Sequence, residues 1–353
     1  MRHRAALLLV PLLLVVLPPR QAGAQFDVLR MNPSVRSSSM GGTGVADGSD
    51  PGNAFLNPAV ISGVTGAFFT GSFSKLVPEL ADDIWILNVA AGAGVALATS
   101  NTFELRLGAG VRYSYLSQGE WEIRDPNNLY LRAVSTHDAS VSITAGGSAT
   151  LNQIVHIGVG LSVKPRSVEI APMRPTLSSD VIKGNGVAFD LGVLLSADLP
   201  QPFPFRISPS IGFSVLNLGR SVELSEAESV DLPRGYRAGV GLRAVGSDMK
   251  LFGGSLETEV PLLAIAADFD VTKRPHWSKV ELDSGLEIAV LQMAFVRLGY
   301  IDDKLKNVQG LTIGGGLGLT VRGFYGRFEY GRVPYASDLK DRNAFGLAFG
   351  VTF

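Results

Sequence analysis

The chain has no cysteine among its 353 residues. It can therefore form no disulfide framework, thiolate metal site, cysteine nucleophile or lipid-modified cysteine. Charge is scarce as well: Asp, Glu, Lys and Arg make up 18 %, against about 25 % in an ordinary soluble domain. Neither sign is in excess, with 31 Lys+Arg facing 32 Asp+Glu. That balance offers no basic footprint for phosphates and argues against nucleic acid as a partner. The four histidines, His3, His137, His156 and His276, lie far apart, and no Gly-x-Ser-x-Gly elbow accompanies them. A nucleophile, base and orienting carboxylate are thus not assembled by spacing. Beyond the amino terminus no apolar run reads as a membrane helix. The nearest, Ile84 to Thr99, contains Asn88, Gly92 and Gly94, a composition that suits a strand better than a helix.

The first 24 residues have the layout of an export signal. Arg2 and Arg4 precede an apolar stretch from Ala5 to Leu17, and Ala22-Gly23-Ala24 is a small-x-small cleavage site. Pro11 interrupts the stretch, which falls short of the ~20 residues a spanning helix needs. The expected mature chain begins at Gln25 and is destined for the envelope of a Gram-negative type cell, in whose oxidising periplasm a chain without cysteine stays unbridged.

What recurs in the mature chain is a period of two. Phe103, Leu107, Val111 and Tyr113 alternate with Glu104, Arg106, Gly108, Gly110 and Arg112. Leu286, Ile288 and Val290 alternate with Glu281, Asp283, Gly285 and Glu287, and Val240 and Leu242 with Arg237, Gly239, Gly241 and Arg243. A solvated sheet face avoids glycine. A face of glycine with scattered Arg and Glu suits the inside of a closed barrel, where small side chains leave room and charges pair across the lumen. Aromatics gather near expected strand ends, among them Tyr113, Tyr115, Trp121, Tyr130, Tyr300 and Tyr330. The pattern predicts an all-β, transmembrane antiparallel barrel of about fourteen strands over residues 64–353, with long and short connections in strict alternation. One expected strand, Lys250 to Val271, loses parity at Glu257, Glu259 and Pro261, which reads as a bulge. The connections Val168 to Asn185 and Gly219 to Pro233 read as polar loops without an apolar groove.

Residues 25–63 do not fit this pattern. They contain Met40-Gly41-Gly42-Thr43-Gly44, then Asp47 and Asp50, then Phe55 and Asn57-Pro58-Ala59 just ahead of the first strand. That order resembles the FadL-like outer-membrane barrels, and most of all their PorV/PorQ branch. Asn217-Leu218-Gly219, Leu232-Pro233-Arg234 and the terminal Phe353 extend the resemblance. It implies that residues 25–63 fold into the lumen as a plug or hatch carrying Gly41, Gly42, Gly44, Asn57, Pro58 and Ala59. In the fatty-acid transporters of the superfamily a lateral opening passes hydrophobic ligands into the membrane; in the PorV/PorQ branch the barrel serves type IX protein secretion. Asn57-Pro58 equally well marks a simple turn that launches the first strand. If the segment is luminal, Asp47 and Asp50 are expected to meet Arg106, Arg112, Arg237 or Arg243, with Glu281 and Glu287 as further luminal charges.

No catalytic, metal or cofactor constellation emerges, so the expectation is a non-enzymatic barrel. Its expected partners are outer-membrane lipid and the barrel-assembly machinery, whose signal would be the alternating end with Phe349 and Phe353. The resemblance adds secretion-system or secreted proteins as partners. Its alternative is passive transport of a hydrophobic ligand such as a long-chain fatty acid.

Overall fold

The computed structural model describes residues 27–125, 127–171, 181–199, 205–225, 228–253, 257–275, 278–303, 308–334 and 340–352. The expected export signal, Gln25, His276 and Phe353 lie outside them. No helix of the described residues is long and apolar enough to cross a membrane.

Fourteen antiparallel strands close into a barrel. In chain order the strands are β1 (Gly66–Lys75), β2 (Ile84–Thr99), β3 (Phe103–Arg124), β4 (Tyr130–Leu151), β5 (Val155–Ile170), β6 (Ile182–Ala197), β7 (Arg206–Leu218), β8 (Val222–Ser225), β9 (Glu228–Val230), β10 (Gly235–Val245), β11 (Asp248–Leu251), β12 (Thr258–Pro261), β13 (Leu263–Lys273), β14 (Val280–Val290), β15 (Ala294–Asp303), β16 (Val308–Val321), β17 (Phe324–Val333) and β18 (Arg342–Val351). The first and last wall strands pair from Ala67–Val351 to Ser74–Ala344, which removes both sheet edges. β8–β9 and β11–β12 are hairpins added to this wall.

The period of two places side chains as expected. Phe345, Leu347 and Phe349 are nearly half exposed on the outer face, as are Val111, Val240 and Ile288, whereas Arg112, Asp283 and Glu287 are buried. The outer face is an apolar band of the kind that meets lipid. Short connections gather at one end, the turn end. Two-residue turns there hold Asn152 and Gln153, Leu291 and Gln292, and Arg322 and Gly323 at φ between 50° and 79°, the twist that matches adjoining strands.

Three sequence expectations need correction. Residues 250–271 are not one bulged strand: β10 ends at Val245, β11 and β12 form their own hairpin at the turn end, and the wall resumes at Leu263. Lys250 sits between Glu257 at 2.6 Å and Glu259 at 3.7 Å, so these carboxylates belong to the hairpin rather than to a wall strand. The connection 219–233 is not wholly polar loop, because β8 buries Val222 and Leu224. Finally, the connection 168–185 is shorter and less polar than expected, because β5 runs on to Ile170 with Val168 and Ile170 buried and β6 begins at Ile182.

Candidate functional site

Residues 27–64 run along the inner face of the wall and touch strands around its whole circumference. The path can be followed through glycines, since a methyl group on each would meet the segment. Val35 of the short helix α1 (Val35–Ser39) lies against Gly346 of β18 and Gly331 of β17; Ser39 covers Gly314 of β16; Met40 and Gly41 cover Gly299 of β15. Val45 meets Gly212 of β7, Asn57 and Pro58 meet Gly192 of β6 and Gly160 of β5, and Ile61 meets Gly108 and Gly146 of β3 and β4. Val64 reaches Gly94 of β2. The hydroxyl of Ser72 on β1 donates to Pro33 O at 2.7 Å. Glycine on the wall is thus what allows a second layer of backbone inside a barrel of this width.

The motif residues occupy specific places on this path. Gly41 has φ +72° and no space for a side chain, because a Cβ would lie 2.6 Å from Tyr300 O. Gly42 and Gly44 also have positive φ. Gly44 N and Val45 N donate to Asp270 Oδ2 of β13 at 2.9 and 3.1 Å. Asn57 caps the turn Pro58–Gly63 by accepting from Ala59 N at 3.0 Å. Its amide also donates to Val45 O at 2.8 Å and to Val193 O of β6 at 3.0 Å. The Asn-Pro-Ala turn thus lies against the β6 wall and is tied back to the Val45 backbone.

Ionic contacts differ from the expected pairing. Asp47 pairs with Arg36 of its own segment, and Asp50 lies 3.9 Å from Arg327 of β17. Arg36 also grips Glu287 of β14, which accepts from Arg297 Nε of β15 at 2.6 Å. Arg297 reaches Glu329 at 2.8 Å, and Arg327 Nε lies 3.2 Å from the same carboxylate. Burial alone would raise the Asp47 carboxyl, but the Arg36 guanidinium and the bonds from Ser49 hold it below the usual carboxylate range. Of the four arginines expected to meet Asp47 and Asp50, Arg112 donates instead to Gly52 O at 3.2 Å and lies over the Phe55 ring at 5.3 Å. Arg237 binds Gly42 O at 3.0 Å and Asp283 at 3.3 Å. Arg106 pairs with Glu104 on its own strand at 2.7 Å, and Arg243 makes no ion pair among the described residues. Glu281 sits near the loop end with Arg274 at 3.2 Å.

Nearer the loop end the character changes. Val28 and Leu29 join Leu76, Ile86, Leu116, Val168, Ile170, Val222, Leu224 and Leu232 in one buried apolar cluster. Beneath it, Arg166 grips Asp138 at 2.7 Å and Asp27 at 3.3 Å. Close to this level the β4–β5 ladder is interrupted. Pairing runs to Ser140–Arg166 and resumes at Ile143–Val163, with Pro165, which has no N–H to donate, in the gap. A small cavity of about 20 Å³ beside β1, β2 and β17 is lined by Ser34, Asp50, Ser72, Asn88, Arg112 and Arg327, polar room for one or two waters. His137 stacks on Tyr115 at 5.3 Å near the loop end, while His156 bonds Thr150 and Asp198 at the turn end. The described residues hold no group of three or more His, Asp or Glu arranged for a metal.

Sequence reasoning missed Arg36, Arg297, Arg327 and Glu329, the apolar cluster and Pro165. Pro165 inside an otherwise alternating run was the one signal available.

No family model matches the sequence, and no curated protein is detectably similar to it. Solved structures do match by shape. The Ralstonia pickettii toluene transporter TbuX aligns over 92 % of this chain and 100 % of its own, at 11 % identity and a TM-score of 0.53. The Pseudomonas putida toluene transporter TodX covers 93 % and 100 %, at 12 % identity and a TM-score of 0.50. A Pseudomonas aeruginosa FadL homologue covers 93 % and 100 %, at 12 % identity and a TM-score of 0.42. The likeness is one of fold: the chain has the architecture of the outer-membrane barrels that include these transporters.

Proposed function

We propose that this chain is an outer-membrane channel of the FadL kind, which admits small hydrophobic molecules at its loop end and releases them sideways into the membrane. The observation that carries the proposal is the gap in the β4–β5 ladder at Pro165. It lies about 10 Å below Val168 and about 17 Å below Ile170 of the apolar cluster at the usual rise per strand residue. Further down the lumen a solute meets backbone, wall glycines and ion pairs, all costly for an apolar molecule to displace. A lateral exit avoids them. In this reading residues 27–64 act as a plug, and the chain reaches the outer membrane through a cleaved signal peptide and the barrel-assembly machinery.

Uptake of toluene by cells with and without the protein tests the transport, and Pro165→Val tests the exit. Valine restores a ladder donor and should lower uptake severalfold while the amount of assembled barrel stays the same. Equal uptake with and without the protein would overturn the transport reading, and undiminished uptake by the variant the lateral exit.

A role as a type IX secretion component of the PorV/PorQ kind rests on the Met40 to Ala59 motif and on loop-end charges such as Glu223 and Asp231. A secreted or secretion-system protein that co-purifies with the barrel, in place of a hydrophobic ligand, would favour it.

A further inference from the structure

We infer that the β8–β9 hairpin is a hinged lid over the apolar cluster at the loop end. Its underside is apolar and its seat is shaped by missing side chains. Val222 is fully buried above Gly186, whose added Cβ would lie 2.6 Å from Val222 Cγ2, and Leu224 fits above Gly184 at the same distance. The backbone attachment is slight. β8 meets β6 through the single ladder pair Asn185–Glu223, whereas β5 and β6 pair without a break from Val155–Ala197 to Ile170–Ile182. A segment joined to the wall by one ladder pair, and otherwise by the apolar packing of Val222, Leu224 and Val230, opens more readily than the fully paired wall beside it.

The base of the hairpin is fixed. Asn217, at φ +57°, donates from its backbone to Asp190 Oδ1 at 2.8 Å and from its amide to Pro233 O at 3.1 Å. Just beyond this anchor Gly219 has φ +155°, a conformation that side chains resist, so it is a natural place for the chain to turn. Ser221 Oγ donates to Asp231 Oδ1 at 2.5 Å, tying the two legs together. The two legs β8 and β9 are thus tied to each other and can swing together about residues 219–220 and 232–233. Lifting it uncovers apolar side chains of the cluster that it buries, giving a small apolar molecule the surface that Val222 and Leu224 otherwise occupy. This deepens the transport reading and rests on it for what passes; the lid's motion itself is measurable without transport.

The absence of cysteine makes an introduced thiol unique. Val222→Cys on intact cells should be labelled by a membrane-impermeant maleimide within minutes. Leu56→Cys, equally buried within the inner segment, should stay unlabelled over the same period. Val222→Cys as inert as Leu56→Cys would overturn the lid. A second variant locks it: a Cβ at Gly186 lies 3.7 Å from Val222 Cβ, within the range of a disulfide. Oxidised Gly186→Cys/Val222→Cys should lose toluene uptake at least tenfold and regain it on reduction, and full uptake by the oxidised form would show that the lid does not gate. If the unmodified protein fails to raise uptake, the transport reading falls, while the labelling comparison still decides the lid.

Discussion

Arg36 and Glu287 form a two-pronged pair, with Arg36 Nε and Nη2 donating to Glu287 Oε2 and Oε1 at 2.9 Å each. The pair joins the inner segment to the wall across 251 positions of sequence. Both partners are buried and Arg297 shares the carboxylate, so the charges are matched where water cannot screen them.

Glu287→Gln should therefore destabilise the folded barrel by about 1–3 kcal/mol, since it removes the carboxylate that two buried guanidinium groups share and leaves Arg36 with Asp47 and Arg297 with Glu329. The shift in urea midpoint, followed by the heat-modifiable gel band, measures it. Combining Glu287→Gln with Arg36→Met should cost less than the sum of the single changes, because either change alone already removes the contact between the two side chains.

Gly192 of β6 has Asn57 against its α-carbon, with Pro58 Cδ 2.8 Å from where a Cβ would stand. Gly192→Val should push the Asn57–Ala59 turn off the wall and raise single-barrel conductance in planar bilayers. Gly71→Ala, on the outer face of β1 with its nearest neighbour 3.8 Å away, should leave conductance unchanged. Equal conductance in both variants would mean that the turn does not occlude the lumen.

Deleting residues 25–50 should leave a barrel that assembles and conducts freely, whereas the intact protein is nearly silent. The deletion removes Arg36, Asp47 and the contacts of α1 but keeps the turn beneath β3 to β6. An intact protein that conducts as well as the deletion would rule out a plug.

Asp47 gives the assembly an acid limit. Its carboxyl is held below its ordinary value of 3.8 by Arg36 and Ser49 against the effect of burial. A group depressed on folding contributes stability above its unfolded value and loses it as pH falls through the folded one. Urea midpoints should therefore drop as the pH is lowered below about 3.8, and Asp47→Asn should flatten that part of the profile.

Removing Phe353, the end of an alternating run through Phe345, Leu347, Phe349 and Val351, should sharply reduce assembled barrel on gels. An unchanged band would leave Phe349 and its neighbours as lipid-facing residues with no assembly role.

The alternation of β3, β10, β14 and β18 was legible in the sequence because strand side chains repeat every two residues whatever lies across the sheet. The same counting identified the inner face, since glycine beside Arg112 or Glu287 has no reason to face water. The alternation of long and short connections followed from the lengths between strands, and Asn152-Gln153 and Arg322-Gly323 are two of the short ones. The sequence also marked residues 25–63 as different in kind, having no period of its own.

Pairing across the lumen was decided only by the closed barrel. Which arginine meets Asp47 depends on where each strand falls around the circumference, and that follows from accumulated register and from the path of the inner segment, neither of which is local. Arg36 in a five-residue helix and Glu287 in β14 carry no sequence mark of each other. Likewise Val222 and Leu224 alternate over too few residues to announce a strand, and only the seat offered by Gly184 and Gly186 makes them one. Local periodicity settles which way a side chain points; what it then meets is settled by closure.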